Sequence, residues 1–474
     1  MTLPPDFTKY TRALMGHTLY RQFEQAMNHE STAFIRLNRL KCPDAEPCVP
    51  TEPVAWYRYG YALTERPAFT FDPLLHAGLY YVQESSSMFL AAVLRQHVRR
   101  PVRMLDMCAA PGGKATLARL ELPEGSTLMC NDPVGSRAQI LTENVQKCGH
   151  PEVIVTNNYP ADYRRAGLKF DIVLCDVPCS GEGMFRKNPN AITEWSVENV
   201  ENCRRLQRDI VTDAWACLED GGLLIYSTCT FNTRENEENI DWICRETGAT
   251  LLPVDVDPEW NIAGSLLPNL QQPVYRFIPG YRYADGKRYG EGLFMAVLRK
   301  PGNPSAEPRK NTTEKILRPF SPTEASVADW LKQPERFRLV AVNQTLMAVP
   351  RSMAAQFDKA EKQLRILSAG ICLGRQKGRT LIPHHALALS THLAAEAFPT
   401  ISLTYPQAIG YLRRETDALP KETPLGFVVV TYQGIPLGFV KNIGNRANNL
   451  YPAEWRIKSS HTPETETRII NITQ

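Results

Sequence analysis

The stretch Phe-Asp-Ile-Val-Leu-Cys-Asp-Val-Pro-Cys-Ser-Gly-Glu-Gly-Met, residues 170–184, predicts a buried strand followed by a turn that carries reactive side chains. Ile172–Leu174 is β-branched and aliphatic, which is typical of a buried strand. The strand ends on the carboxylate of Asp176, and a proline and the thiol of Cys179 follow at once. Open α/β sheets bind ligands at this end of their parallel strands. Taken alone, the stretch is explained equally well as an ordinary strand and turn.

The chain on both sides of this stretch alternates between strands and helices. Predicted strands are Val102–Met107, Thr127–Cys130, Val153–Val155, Phe170–Cys175 and Leu223–Ser227, and predicted helices are Gly113–Leu120, Ser136–Lys147, Val197–Leu218 and Arg234–Glu246. This alternation predicts βαβ units and a parallel sheet with right-handed crossovers. Phe277–Lys300 is expected to close the sheet as an antiparallel hairpin.

The chain length and a proline-rich segment predict four parts. A chain of 474 residues is long enough for about three domains. Pro301–Pro322 holds five of the 36 prolines and is predicted to be a linker. We therefore expect an N-terminal domain at 1–75, a central domain at 76–300, the linker at 301–322 and a C-terminal region at 323–474.

Two further patterns predict local structure outside the central domain. Phe34–Lys41 alternates apolar and polar residues, which predicts a half-buried strand with Arg36 and Asn38 on its solvent face. Pro424–Val440 is expected to form a hairpin that turns at Gln433 and Gly434.

Composition predicts a cytoplasmic protein with no metal site. Hydrophobic residues make up 43% and charged residues 22% of the chain, which is ordinary for a soluble globular protein. No apolar run reaches the ~20 residues that span a bilayer, and the N-terminus lacks a signal-peptide pattern. The twelve cysteines include no Cys-x-x-Cys pair, so the usual zinc spacing is missing. His384 and His385 have no partner cysteines either.

The net charge of +4 is distributed unevenly along the chain. Residues 301–474 carry 22 Lys and Arg against 14 Asp and Glu. A basic C-terminal region that follows a slightly acidic N-terminal part, residues 1–300, indicates attraction to a polyanion. A solvated basic surface is an equally good explanation.

A glycine-rich turn follows the first strand of the central domain. Leu105–Ala115 reads Leu-Asp-Met-Cys-Ala-Ala-Pro-Gly-Gly-Lys-Ala, which matches neither a P-loop nor a dinucleotide fingerprint. Asp132 ends the second strand, where an acid suits a ribose. An adenosine ligand whose cationic centre lies near Asp106 and Asp176 would fit S-adenosylmethionine. The alternative is a tight turn in a βαβ unit.

A second strand ends in a thiol within Leu-Leu-Ile-Tyr-Ser-Thr-Cys-Thr, residues 223–230. If this strand neighbours the strand of Asp176, Cys179 and Cys229 face the same crevice. A thiolate is a strong nucleophile, although lone cysteines at strand ends are more often inert.

Three motifs together resemble the signature of RNA 5-methylcytosine methyltransferases, the Rsm/Nop/Sun family: Asp106-x-Cys-Ala-Ala-Pro-Gly-Gly-Lys, Asp176-x-Pro-Cys-Ser-Gly-Glu-Gly and Ser227-Thr-Cys-Thr. Phe34-x-Arg-Leu-Asn-x-Leu-Lys and Gln83-Glu-x-Ser-Ser resemble the N-terminal motifs of that family. The resemblance covers residues 1–300. The C-terminal extension resembles that of bacterial type F members, which modify small-subunit ribosomal RNA.

The resemblance implies an α/β fold with a Rossmann-like, seven-stranded methyltransferase domain. A small N-terminal α/β domain and a C-terminal α+β region, PUA-like in its last part, would bind RNA. The implied activity is S-adenosylmethionine-dependent methylation of carbon 5 of a cytosine in RNA. The implied roles are nucleophile for Cys229, product release for Cys179, a contact to the N3 edge of cytosine for Asp176, and a position beside that carboxylate for Lys114.

The resemblance also implies a cofactor site. Its expected residues are Cys108, Ala109, Ala110, Pro111, Gly112, Gly113, Lys114, Asp132, Arg137, Asn158 and Asp176. At Asn158 the family often has an acidic residue that binds the adenine amino group, and the oxygen of the Asn158 amide can still accept that hydrogen bond. The expected partner is small-subunit ribosomal RNA, naked or in the assembled subunit, for a monomer without metal or membrane.

Three other readings of the substrate and activity stay open at this point. The same chemistry on transfer RNA is one, and a ribosome-assembly factor that binds RNA without catalysis is another. DNA cytosine methylation also uses a Pro-Cys motif, but a single cysteine would then suffice. Arg186 and Lys187 are expected to neutralise phosphates beside a flipped base, or else to be solvated charges on a loop.

Overall fold

The computed structural model describes residues 1–267, 272–281, 290–303, 327–342, 344–378, 380–415, 419–461, 463 and 465–472. Its helices are α1 Pro5–Met27, α2 Pro73–His76, α3 Leu90–His97, α4 Gly113–Glu121, α5 Gly135–Cys148, α6 Pro160–Ala166, α7 Pro189–Glu194, α8 Val197–Cys217 and α9 Glu237–Thr247, followed by Ala354–Glu361, His385–Leu389 and Tyr405–Leu412. None of the helices within these ranges combines the length and apolar character of a membrane span.

A mixed sheet of nine strands forms the centre of the molecule. The strands are β6 Arg103–Asp106, β7 Thr127–Asn131, β8 Val153–Thr156, β9 Phe170–Asp176, β10 Leu218–Thr228, β11 Thr250–Leu252, β12 Val274–Phe277, β13 Leu293–Arg299 and β16 Ile366–Ala369. Their order is β11-β13-β10-β9-β6-β7-β8-β16, and β12 also pairs with β13. The predicted βαβ units and parallel sheet are confirmed, because β8, β7, β6, β9 and β10 run parallel.

The apolar runs of the sequence occupy the middle of this sheet. Ile172, Val173 and Leu174 of β9 are at most 2% exposed, since helices cover both faces of a parallel sheet. The predicted closing hairpin at Phe277–Lys300 is confirmed in part: β12 and β13 pair antiparallel, but β12 begins at Val274, before the predicted segment. Residues 282–289 of that segment lie outside the described residues.

The sheet has two strands more than the seven that we predicted. One of them, β16, comes from the C-terminal region and pairs antiparallel with the edge strand β8. An uncovered edge strand exposes unpaired backbone groups, and β16 satisfies these groups on β8. The predicted linker 301–322 lies outside the described residues from position 304 onward.

The N-terminal domain packs a four-stranded sheet against the central domain. Its strands are β1 Phe34–Leu37, β3 Thr51–Val54, β4 Tyr57–Leu63 and β5 Tyr80–Val82, in the order β3-β4-β1-β5. A short strand β2, Glu46–Pro47, pairs with β23, Ile470–Asn471, near the end of the chain.

The solvent face that we predicted for Arg36 and Asn38 is wrong. Arg36 is 2% exposed and donates to Gln83 Oε1 and to Thr116 Oγ1, both at 2.7 Å. Asn38 is equally buried and donates to the carbonyl of Gly78 at 2.8 Å. The polar face of β1 meets α4 and α5 of the central domain, so its polar groups bond protein instead of water.

The C-terminal region contributes two four-stranded sheets. The first joins β14 Phe337–Val342, β15 Thr345–Pro350, β17 Ile371–Lys377 and β18 Thr380–Pro383, and the second joins β19 Thr400–Ser402, β20 Gly426–Tyr432, β21 Ile435–Asn442 and β22 Ala447–Asn449. The predicted hairpin is confirmed between β20 and β21. Gln433 and Gly434 turn it with φ of 50° and 78°, as a tight two-residue hairpin turn requires.

Replacement of Arg36 by Met should destabilise the fold. The change leaves the acceptors on Gln83 and Thr116 buried without this donor, which costs about 2 kcal/mol or more. Thermal unfolding monitored by circular dichroism should therefore show a lower midpoint for R36M. Arg58→Met, a change on an exposed side chain, serves as the control and should unfold like the parent protein. Equal midpoints for R36M and R58M would contradict the structural role of Arg36.

Candidate active site

Two adjacent parallel strands end side by side and carry the motifs that predicted chemistry. β9 and β10 pair in a register that places Ser227 opposite Asp176. Ser227 Oγ donates to Asp176 Oδ1 at 2.6 Å, and Lys114 Nζ donates to Asp176 Oδ2 at 2.9 Å. The side chain of Asp176 remains 29% exposed. Its carboxylate is thus anchored at both oxygens and still accessible to a substrate.

Cys179 and Cys229 follow these strand ends and meet. Their sulfur atoms lie 3.1 Å apart, and both residues are half-buried. The pKa of Cys179 is raised well above its ordinary value, because its thiol hydrogen-bonds to Cys229 and because it is buried. Cys179 therefore keeps its proton, and the two sulfur atoms share one hydrogen bond.

Lys114 completes the polar side of this crevice from the first turn of α4. Its side chain is 14% exposed, and burial alone would lower its pKa. Burial is the largest single effect, but the charge and hydrogen bond of Asp176 together with the charges of Glu84 and Cys229 outweigh it, so the pKa of Lys114 is raised. Lys114 is therefore a stable cation paired with the Asp176 carboxylate.

The predicted cofactor loop, residues 108–113, connects β6 to α4. Gly112 has φ of 115°, a backbone conformation that side chains rarely permit. Two carbonyls of the loop are tied to α5: Ala110 accepts from Arg137 at 3.1 Å and Pro111 accepts from Asn144 at 2.8 Å. With these carbonyls turned toward α5, the start of α4 is left to present backbone N–H groups to a ligand.

Asp132 and Arg137 lie together beside this loop. Asp132 is 1% exposed, and one of its oxygens accepts from the Val134 amide at 3.0 Å. Arg137 Nη2 lies 3.2 Å from the other oxygen. Arg137 therefore links the carboxylate of Asp132 to the loop carbonyl of Ala110. A ribose hydroxyl would use the remaining lone pairs of the Asp132 carboxylate.

The surroundings of the Asp106 carboxylate test whether the site fits S-adenosylmethionine. Both carboxylate oxygens are buried and have no well-formed hydrogen bond within the described ranges, although the Cys108 amide lies close enough to lower the pKa of the group. The pKa of Asp106 is raised well above its ordinary range, because the group is buried and because Asp176 lies nearby. A buried polar group without a partner is costly. A cationic ligand beside Asp106 would offset this cost, so the residues present fit this cofactor.

Asn158 is placed at the cofactor side of the sheet, but the C-terminal region occupies its side chain. Its Oδ1 accepts from the backbone N–H of Arg365 at 3.0 Å, and its Nδ2 donates to the backbone carbonyl of Arg365 at 3.3 Å. Arg365 directly precedes β16, which explains the contact. One lone pair of Oδ1 remains for an adenine amino group. The main chain of Arg365 requires both a donor and an acceptor here, which an amide supplies and a carboxylate does not.

The predicted phosphate contact of Arg186 is wrong. Its side chain is 3% exposed, and it donates to Glu291 at 2.7 Å and to the Gly290 carbonyl at 2.9 Å. Arg186 therefore anchors the turn after Cys179 to the segment before β13. Lys187 remains 37% exposed at 3.5 Å from Glu291, so of these two cations it is the one that can reach a ligand.

The adjacent residues His384 and His385 of the C-terminal region cap a helix and pack against aromatic rings. His384 Nδ1 accepts from the Ala386 amide at 3.1 Å, and His385 packs against the rings of Tyr451 and Trp455. Across the described ranges, no group of three or more His, Cys, Asp and Glu side chains is arranged to hold a metal ion.

Sequence reasoning missed three residues of the site. Ser227 was quoted in a motif, but its hydrogen bond to Asp176 depends on strand register. Glu182 and Glu235 are fully buried, and each hydrogen-bonds to the turn that carries the other motif cysteine. Each glutamate lies close in sequence to one of the two motif cysteines, and this proximity was the one available indication of a role. Nothing in the sequence indicated that Glu182 contacts the turn of Cys229 or that Glu235 contacts the turn of Cys179.

Comparison with known proteins agrees with this architecture. The family model described as 16S rRNA methyltransferase RsmB/F matches residues 93–299. The N-terminal domain of 16S rRNA methyltransferase RsmF matches residues 3–85, and the methyltransferase RsmF PUA domain matches residues 398–457.

Curated relatives match along nearly the whole chain. Ribosomal RNA small subunit methyltransferase F of Enterobacter sp. (strain 638) is 30% identical over 95% of both chains. The protein of the same name from Escherichia coli O9:H4 (strain HS) is 31% identical over 95% of this chain and 96% of its own.

Solved structures share the fold at lower identity. NSun6 from Pyrococcus horikoshii with SFG is 20% identical, with a TM-score of 0.50 over 63% of this chain and 99% of its own. The crystal structure of PH0851 is 23% identical, with a TM-score of 0.54 over 63% of this chain and 66% of its own.

The family model and the curated relatives define an RNA methyltransferase. The chain belongs to the ribosomal RNA small subunit methyltransferase F family, with its N-terminal and PUA domains. The predicted family and fold class are therefore confirmed.

Replacement of Asn158 by Asp should weaken the junction between β8 and the C-terminal region. The new oxygen would oppose the Arg365 carbonyl, and loss of this hydrogen bond at a partly exposed side chain costs about 0.5–1.5 kcal/mol. Calorimetry should show a lower unfolding midpoint for N158D. Arg365→Ala keeps the main-chain pair and is the matched control, with a smaller expected change. An N158D midpoint at or above that of R365A would contradict the importance of this pair.

Proposed function

We propose that this protein transfers a methyl group from S-adenosylmethionine to carbon 5 of a cytosine in small-subunit ribosomal RNA, through a covalent bond between Cys229 and carbon 6. The proposal is carried by the two thiols 3.1 Å apart, next to a carboxylate that Lys114 and Ser227 hold. One thiol is needed to form a covalent bond to the ring, and a second beside it is suited to help break that bond.

The attack step uses Cys229 and Asp176. Carbon 5 of cytosine is too weak a nucleophile to accept a methyl group unaided. Addition of the Cys229 thiolate to carbon 6 forms a carbon–sulfur bond and moves the electron pair of the ring double bond toward carbon 5. Asp176 holds the protonated N3 edge of the ring and so stabilises the charge that develops there. The cofactor, when bound, supplies an electrophilic methyl group.

The release step uses Cys179. After methyl transfer, carbon 5 gives its proton to solvent water, which reaches the crevice at the partly exposed Asp176, and the electrons of that bond restore the ring double bond while the bond to Cys229 breaks. Cys229 departs as a thiolate. Cys179 keeps its own proton, because the hydrogen bond to Cys229 and burial raise its pKa. It therefore offers a hydrogen bond to the departing sulfur and eases its departure.

The substrate assignment rests on the relatives and on charge. Relatives covering 95% of the chain are named as small-subunit ribosomal RNA methyltransferases, which favours ribosomal over transfer RNA. The excess of Lys and Arg after residue 300 favours a polyanionic partner. The second thiol weighs against DNA methylation, and the intact set of Cys179, Cys229, Asp176 and Lys114 weighs against a non-catalytic assembly factor. A cytoplasmic monomer stays our prediction.

Replacement of Cys229 by Ala should abolish methyl transfer, by at least about a thousandfold, as expected for loss of a covalent nucleophile. Replacement of Cys179 by Ala should instead trap a covalent protein–RNA adduct. Labelled methyl incorporation into RNA and denaturing gels measure the two effects. Cys244→Ala, on α9, is the control and should retain activity. Methylation by C229A would show that the assigned roles are wrong.

Substrate choice is tested by supplying ribosomal RNA, assembled small subunits, transfer RNA and DNA in parallel. The expected result is methyl incorporation into ribosomal RNA, and bisulfite sequencing then identifies the cytosine. Incorporation into transfer RNA or DNA alone would overturn the substrate assignment. RNA binding without any methyl transfer would favour the assembly-factor alternative.

A further inference from the structure

Two fully buried carboxylates connect the turns that carry the two cysteines. Glu182 lies three residues after Cys179, and Glu235 lies six residues after Cys229. Both glutamates are 0% exposed. Neither takes part in the steps proposed above, yet each reaches across to the turn of the other cysteine.

Glu235 holds the chain on both sides of Cys179. One of its oxygens accepts from the Ser180 backbone amide at 3.0 Å and from Gln207 Nε2 at 2.6 Å. Its other oxygen accepts from the Ser180 hydroxyl. Gln207 Nε2 also donates to the Pro178 carbonyl at 2.9 Å. The residues before and after Cys179 are therefore fixed by one hydrogen-bonded unit, Glu235 and Gln207.

Glu182 holds the chain after Cys229 in the same manner. One of its oxygens accepts from the backbone amides of Phe231 at 2.6 Å and Asn232 at 3.1 Å. The amide of Gly183 donates to the Cys229 carbonyl at 2.7 Å. Trp195 Nε1 donates to the second Glu182 oxygen at 3.0 Å.

Asn232 joins the two carboxylates into one network. Its Nδ2 donates to Glu235 Oε1 at 2.7 Å and to Glu182 Oε1 at 3.0 Å. The turn after Cys179 thus supplies Glu182, which binds the backbone after Cys229, and the turn after Cys229 supplies Glu235, which binds the backbone after Cys179. Hydrogen bonds of this kind are strong in a medium of low dielectric constant, so the network fixes the separation of the two sulfur atoms.

The network has an electrostatic cost, which suggests a function beyond stability. Burial, and then the charge of Glu182, raise the pKa of Glu235 to about 7. The other titratable groups that face Glu235 are Cys179, Cys203 and Tyr226. The charge of Glu235 contributes to the raised pKa of Cys179, after the hydrogen bond to Cys229 and burial. Buried acids with perturbed pKa values are typical of functional sites.

We propose that Glu235 is a positioning residue for the release step and acts through Cys179, while Glu182 positions Cys229 for attack. This inference rests on the proposed function. Glu235 holds the residues on both sides of Cys179, so its loss should displace the Cys179 thiol from the sulfur of Cys229. Misplacement by about 1 Å can slow a catalytic step by about a hundredfold.

The decisive experiment measures covalent adduct in Glu235→Gln and Glu182→Gln, each alone and combined with Cys179→Ala, using small-subunit ribosomal RNA and labelled cofactor. E235Q alone should accumulate adduct and turn over about ten- to a hundredfold more slowly. In the C179A background, E235Q should leave the rate of adduct formation unchanged, because effects that act through one residue are not additive. E182Q should slow adduct formation in both backgrounds.

Two further variants separate positioning from loss of fold. Gln207→Leu keeps Glu235 but frees the Pro178 carbonyl, and it should accumulate adduct as well. Glu121→Gln removes a buried carboxylate whose partners include Arg95, Tyr57 and Arg39, and it should accumulate none.

Three outcomes would overturn the inference. In the first, E235Q loses turnover without accumulating adduct. In the second, E235Q slows adduct formation in the C179A background. In the third, E121Q accumulates adduct like E235Q, which would make the effect a general result of losing a buried acid. If C179A itself forms no adduct, the proposed function fails, and the inference fails with it.

Discussion

The parallel pairing of β9 with β10 is the constraint on which the chemical part of this molecule depends. The register places Ser227 opposite Asp176, so both strands end at the same level of the sheet. The turns that follow therefore begin side by side, and their cysteines meet at 3.1 Å. A shift of one residue would turn every side chain of a strand to the other face. The apolar interior of the sheet thus fixes the position of the reactive sulfurs.

The electrostatics of the site follow from burial around one cation. Asp106 and Asp176 lie at adjacent strand ends, and burial together with this neighbour raises the pKa of Asp106. Lys114 pairs with Asp176 and keeps its charge, because the attraction of that carboxylate, together with the charges of Glu84 and Cys229, exceeds the effect of burial. Asp106 has no cation bonded to it among the described residues. A cationic ligand beside Asp106 would compensate for this.

Much of the fold and of the site could be predicted from sequence, because the relevant signals are local. The alternation of strands and helices predicts the parallel sheet, and the strand-end motifs predict Asp176, Cys179 and Cys229. Contacts between distant segments could not be predicted. Alternation along β1 indicates a polar face, but not that α4 covers Arg36. In the same way, Arg186 looked available for phosphate, whereas Glu291, more than a hundred residues away, occupies it.

The C-terminal region is built into the rest of the fold, and this follows from how it meets the other two domains. β16 extends the central sheet at β8, and β23 pairs with β2 of the N-terminal domain. Leu74 and Leu79 share an apolar cluster with Leu412 and other residues of the PUA-like part. Because the β16 contact reaches Asn158, the C-terminal region and the end of β8 are held by the same hydrogen bonds. A displacement of β16 would therefore move Asn158, a residue that we predicted to contact the cofactor.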